Sequence, residues 1–179
     1  MTVLAALLRG VNVGGRQSLP MADLRRLLVD LGHGDAQTYL HSGNAVFTTE
    51  RTDTAKIASE IEQGVAALGV ADPGCLVLEP GRLRRVVDGD LLAEQAADPA
   101  KYQVVFLSDP PPPDSVAAID RAAYLPDVFA AGEREVYVYY PEGIRRTKLT
   151  HAFFQKKLGV RVATARNWNT VTALLERVS

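Results

Sequence analysis

The chain has little with which to crosslink itself or to hold a metal. Its only cysteine, Cys75, excludes an internal disulfide. The three histidines, His33, His41 and His151, are scattered and match no Cys/His ligand spacing, so no metal site is expected. An excess of one charge is missing too. Lys and Arg total 20 against 21 Asp and Glu, a net charge of −1, which leaves no long-range field to gather nucleic acid or an anionic membrane surface. Any anion must be bound locally, and nucleic acid is not the expected partner. No uncharged apolar run approaches the roughly 18 residues of a membrane span. Met1-Thr2-Val3-Leu4 enters apolar sequence without a basic leader, so the expected location is the cytoplasm, away from membranes.

What the chain does have is core material. With 47% apolar and 23% charged residues over 179 positions, the composition is that of a globular protein. The length fits one large domain or two of about 90 residues, and the order of elements decides between them. Residues 3–8 are an unbroken apolar run, a strand. Met21, Leu24, Leu27, Leu28 and Leu31 recur at helical spacing and stop at Gly32. Residues 37–41 and 45–49 read as a hairpin turning at Ser42-Gly43-Asn44. Ile57, Ile61, Val65 and Leu68 make a second helix closed by Gly69, and a short strand follows at 75–78. The order is βαββαβ.

The second half repeats it. A strand at 102–107, a short helix at 115–124, a hairpin of 128–131 with 136–140, a helix at 147–158 and a last strand at 160–163 are followed by an added helix from Asn167 to Val178. Two split βαβ units in succession define an α+β fold, a tandem duplication of ferredoxin-like α/β plaits with a C-terminal helix. The domain boundaries fall at 1–88 and 101–179, joined by an alanine- and acid-rich linker that has room for a short helix over 91–97. In the first strand Val3, Ala5 and Leu7 are as apolar as Leu4, Ala6 and Leu8. A plait covers one sheet face with its own helices, so the second domain or a second subunit is expected over the other, and monomer and homodimer both stay open.

Three segments carry a resemblance: Leu7-Leu8-Arg9-Gly10-Val11-Asn12-Val13-Gly14-Gly15, Tyr39-Leu40-His41-Ser42-Gly43-Asn44-Ala45-Val46-Phe47 and Ala163-Thr164-Ala165-Arg166-Asn167-Trp168-Asn169-Thr170-Val171. Together they resemble a bacterial family of unknown function, domain-of-unknown-function family 1697. The resemblance implies a tandem of α/β plaits and no activity. The chain departs from the family pattern at His41, where Gln is usual, and at Arg16, where Lys is usual. The first of these weakens a histidine general base.

Anion-binding equipment is concentrated in polar turns. The loop Arg9-Gly10-Val11-Asn12-Val13-Gly14-Gly15-Arg16 puts three glycines and an Asn between two cations, a mixture suited to a phosphate or carboxylate, although its spacing matches neither the dinucleotide fingerprint nor the Walker loop. In a 4-1-3-2 sheet this loop lies at the same end as the hairpin turn, which brings Arg9, Asn12 and Arg16 beside His41, Ser42 and Asn44. By the same topology Arg146 and Lys148 lie beside Arg166, Asn167 and Asn169. These ten residues, His41 apart, are the candidate ligand contacts, and the two turns are expected to meet near the domain junction. The structural readings are equally plain. Ser42-Gly43-Asn44 suits a tight turn, Asn167 a helix N-cap, Trp168 a packing anchor, and Glu142 neutralises the basic turn of Arg145, Arg146 and Lys148, whose charge at a helix start otherwise invites an anion. No pattern names a cofactor or a catalytic residue. The function expected is binding of a small anionic ligand: a nucleotide, phosphate ester or carboxylate. The alternatives are a transferase or hydrolase using the same pocket, a single-stranded RNA-binding module and a protein-interaction module.

Overall fold

An apolar run without polar interruption is stable as a strand only when covered on both sides, and Thr2–Arg9 (β1) is such a strand. The structure, a computed structural model, describes residues 1–13 and 17–179; the expectation for Arg16 lies outside the described residues. Leu4, Ala6 and Leu8 face one side of the sheet and Ala5 and Leu7 the other, and none of the five is more than 1% exposed. β1 pairs antiparallel with Asn44–Thr49 (β3) and Gly74–Leu78 (β4), and Gly34–Tyr39 (β2) flanks β3, giving the order β2-β3-β1-β4. Met21–Asp30 (α1) and Thr54–Ala67 (α2) supply Leu24, Leu28, Ile57, Ile61 and Val65 to the core under Leu4, Ala6 and Leu8. Asp53 caps α2, accepting from Lys56 N at 3.0 Å. The two helices approach at Gly64, where a Cβ would fall 2.3 Å from Leu27 Cδ1.

Pro80–Gly89 (α3), absent from the sequence reading, leads to a second antiparallel sheet. Tyr102–Leu107 (β5), Val128–Ala131 (β6), Glu135–Tyr139 (β7) and Ala163–Asn167 (β8) assemble in the order β6-β7-β5-β8. With Pro113–Ala117 (α4), His151–Leu158 (α5) and Trp168–Val178 (α6), the described residues form six helices, a mixed α+β chain. Its contacts gather in two units, Met1–Arg84 with Leu174–Ser179, and Arg85–Ala173.

Several elements depart from the sequence reading for local reasons. The last strand is not at 160–163 but at Ala163–Asn167, because Gly159 ends α5 at φ +65 and the ladder begins opposite Leu107, carrying the polar Arg166 and Asn167 onto an edge strand. The helix expected over 115–124 is split into α4 and a 3-10 turn at Arg121–Tyr124 that Asp120 caps through Ala122 N. The helix expected from 147 starts at His151: Thr147 Oγ1 takes Leu149 N, and Thr150 caps Phe153 N. Residues 91–95 form turns rather than a helix, and they are held. Within the second unit, Tyr137 donates to Val86 O at 2.7 Å, Tyr102 donates to Asp90 Oδ1 at 2.7 Å, and the Tyr139 hydroxyl accepts from Asp98 N. Burial first, and then the bond to Asp90, holds the Tyr102 phenol above its ordinary range. A stretch whose composition suggests a linker is therefore fastened to the sheet by the hydroxyls of Tyr102 and Tyr139, while Tyr137 holds the α3 helix that precedes it.

One buried group in the first unit makes stability depend on pH. His33 is 4% exposed, packs on Phe47 at a ring distance of 4.5 Å, and has no hydrogen-bond partner on either ring nitrogen among the described residues. Burial lowers its pKa from 6.5, the Arg51 charge lowers it further, and Glu60, paired with Arg51 at 2.6 Å, opposes this. Between the folded and unfolded pKa values the unfolded chain holds the extra proton. Stability is therefore full above pH 6.5 and falls as the pH drops below it, with a slope of at most about 1.4 kcal/mol per pH unit. Urea midpoints of the protein and of His33→Phe, compared from pH 7.5 to 5, are expected to diverge, the variant losing less. Parallel curves would show that His33 titrates alike in both states.

Candidate functional site

The glycine loop after β1 is organised by its own polar side chains. Asn12, at φ +55, donates through Nδ2 to Leu19 O at 2.8 Å and His41 O at 2.6 Å, while its Oδ1 accepts from Leu19 N at 2.8 Å. One amide thus ties the loop to the start of α1 and to the β2–β3 turn. Gln17 clasps Ala71 through both backbone groups, donating to its O at 3.3 Å and accepting from its N at 3.0 Å. Arg9, with a side chain 13% exposed, donates to Asp72 O at 2.7 Å and pairs with its carboxylate at 3.3 Å. Asn44 is fully buried, donating to Tyr39 O and to Ser42 Oγ, both at 3.1 Å. Arg9, Asn12, Ser42 and Asn44 are thus brought to one end of the sheet, with their polar atoms engaged in holding that end together.

In the second unit, Arg166 is 7% exposed in β8 and donates to Thr164 Oγ1 at 2.7 Å and Ala165 O at 2.9 Å. Asn167 accepts from Thr170 N at 2.8 Å, the bond of an N-cap on α6. Trp168 stacks on Tyr102 at 4.9 Å, and Asn169 beside it is exposed. The register Tyr102↔Tyr139 and Gln103↔Asn167 sets the 141–148 segment at this same sheet end.

Arg146 and Lys148 have a different setting. They line a cavity of about 450 Å³ whose wall is the 142–148 segment on one side and residues 123–127 on the other. Arg145 lines it too, and all three cations are exposed and form no ion pair among the described residues. The segment is shaped by Gly143, at φ +88, whose N–H closes a turn on Tyr140 O at 2.8 Å. Thr147 pins one wall to the other, donating to Asp127 Oδ2 at 2.8 Å. Glu142 and Asp127 set two carboxylates against three cations, leaving a positive excess. Tyr124, Leu125 and Pro126 form an apolar side, with Leu125 64% exposed. Tyr124 and Asp127 were not among the sequence candidates. The run Arg145-Arg146-Thr147-Lys148 was visible, but its facing wall comes from a segment some 20 residues away and carries no local motif.

Lys148 is exposed rather than desolvated, and Tyr140 is 1% exposed and donates to Leu149 O at 2.8 Å. Among the described residues no cluster of His, Cys, Asp or Glu could hold a metal ion, and no helix is long and apolar enough to cross a membrane.

Comparison with known proteins gives two findings. The model of the family described as "Protein of unknown function (DUF1697)" matches residues 1–137. Among solved structures, the conserved bacterial protein SP0830 from Streptococcus pneumoniae is similar, with a TM-score of 0.73 and 24% identity over 99% of each chain, which speaks to the fold alone. No curated protein matches.

Proposed function

We propose, from the premise that this chain belongs to the DUF1697 family, that it binds a small anionic ligand, and that the basic cavity of the second unit receives it. The observation that carries this reading is three exposed cations, Arg145, Arg146 and Lys148, that form no ion pair among the described residues and surround one concavity of about 450 Å³. That volume is within the range of small-molecule sites, about 300–1,000 Å³. Arginines suit phosphate or carboxylate through paired N–H bonds, and Leu125, Pro126 and Tyr124 offer an apolar side. A phosphate ester or nucleotide, an anion joined to an apolar or ring body, matches both walls. In this reading the two sheets are ferredoxin-like plaits related by duplication, which the repeated strand order supports, and the protein works in the cytoplasm. The turn residues Arg9, Asn12, Ser42, Asn44, Arg166 and Asn167 frame the sheet ends rather than contact the ligand.

The test is a calorimetric titration with AMP, inorganic pyrophosphate and a simple carboxylate. Arg145→Gln and Arg146→Gln are each expected to weaken phosphate binding about tenfold, the lower part of the range for a charge-assisted bond, and binding should weaken with added salt. Unchanged affinity in the double variant would remove the cavity as the site. Absence of heat with all three probes would remove the reading.

A further inference from the structure

A second cavity, of about 320 Å³, lies in the first unit and is independent of the basic one. It is lined by Val3, Asp35, Gln37, Val46, Thr48 and Arg177. The register sets Val3 opposite Thr48, and Val46 opposite Gln37, so the strands place these side chains on the sheet face turned away from α1 and α2. Val3 and Val46 make an apolar floor. Asp35 enters at an irregularity of the edge strand, where the register shifts between Gly34 and Gln37 and the backbone of Asp35 takes φ +46. Arg177, near the C-terminus and part of the same unit, lies over the Tyr39 ring with its guanidinium carbon 4.5 Å from the centroid. A guanidinium stacked in this way keeps its N–H edge for an acceptor lying in its plane.

The cavity therefore presents a carboxylate and a guanidinium that do not pair with each other or, among the described residues, with any other ion. Thr48 Oγ1 donates to Asp35 Oδ2 at 3.4 Å, which engages one carboxylate oxygen, and the Gln37 carboxamide lines the same cavity with the two valines. Opposite charges that share one concavity without pairing are complementary to a ligand carrying both signs. We propose that this cavity binds a small zwitterion, an α-amino acid with an aliphatic side chain. Asp35 receives the ammonium group, Arg177 takes the carboxylate, and Val3 and Val46 meet the side chain. The volume is at the low end for ligand sites, which suits a ligand of this size.

The probes are leucine, isopentylamine, which lacks the carboxylate, and 4-methylpentanoate, which lacks the ammonium group. Each is titrated to about 10 mM, a range that reaches millimolar affinity, while amide resonances of the β2 and β3 strands and of Arg177 are followed. Leucine is expected to shift these resonances with saturation, and each one-charge analogue to bind at least about tenfold more weakly. Asp35→Asn, chosen because asparagine tolerates positive φ, and Arg177→Gln are each expected to weaken leucine binding about tenfold, the worth of one charged contact. Both positions are exposed, so thermal midpoints should stay near that of the parent protein and report folding directly. No shift with leucine, equal binding of either analogue, or folded variants that bind as the parent does would each overturn the assignment.

Discussion

Replacing Gly43 by alanine is expected to lower the stability of the first unit by about 2–5 kcal/mol, the sum of two separate penalties. The first is conformational. Gly43 sits at φ +87 in the β2–β3 turn, a region in which a Cβ meets its own carbonyl. The second is steric, because a Cβ there would lie 2.7 Å from Val11 Cγ2 and 2.8 Å from Leu8 Cβ, both on buried residues. Gly10 provides the control. Its φ is +67, yet a Cβ would meet nothing within 4 Å, so Gly10→Ala should lose only the conformational part, about 1–2 kcal/mol. Urea denaturation of both variants checks the difference. Equal losses would mean that Val11 and Leu8 yield without strain.

The second large effect is expected at Asn12. Asn12→Ala removes two donated bonds and one accepted bond, at about 1 kcal/mol each, and takes from the backbone of Leu19, 1% exposed, the partners that its N–H and C=O have among the described residues. A loss of about 3 kcal/mol is expected, with faster amide exchange at Leu19. Asn12→Asp keeps the acceptor and a tolerance for positive φ but loses both donors, and should fall between the two. A ligand contact with no structural duty would show no such loss. A stability within a few tenths of a kcal/mol of the parent would therefore return Asn12 to the list of ligand residues.

Periodicity made much of the secondary structure legible. Alternation and unbroken apolar runs marked β1, β3 and β5, and the spacing of Leu24, Leu28, Ile57, Ile61 and Val65 marked α1 and α2, because in each case the pattern is that of one buried face. Where polar residues lie inside an element, the pattern failed. β8 runs through Thr164, Arg166 and Asn167, whose backbone pairs with β5 whatever the side chains prefer. The segment at 91–98 reads as a helix or a linker by composition, yet it is held at Leu92 by the hydroxyl of Tyr102 and at Asp98 by that of Tyr139, both outside the segment.

The candidate site divides along the same line. Which side chains carry charge or amide groups near a glycine is written in the sequence, and Arg9, Asn12, Ser42, Asn44 and Arg146 could be named from it. Whether such a group is still available is a tertiary question, because a polar side chain near a backbone turn satisfies whatever donor or acceptor folding brings within reach. Folding places Asp72 against Arg9, and the carbonyls of Leu19 and His41 against Asn12. Around Arg145, Arg146 and Lys148 it leaves open space, and Asp127 on the facing wall is held by Thr147. Asp35 and Arg177, more than 140 positions apart, come to one cavity only because the chain's last residues return to the first unit. The sequence by itself determined which stretches are strands and helices with a buried face, since that is set by local spacing of apolar residues. Only the tertiary structure decided which charges keep a free side, since that depends on every partner the rest of the chain delivers.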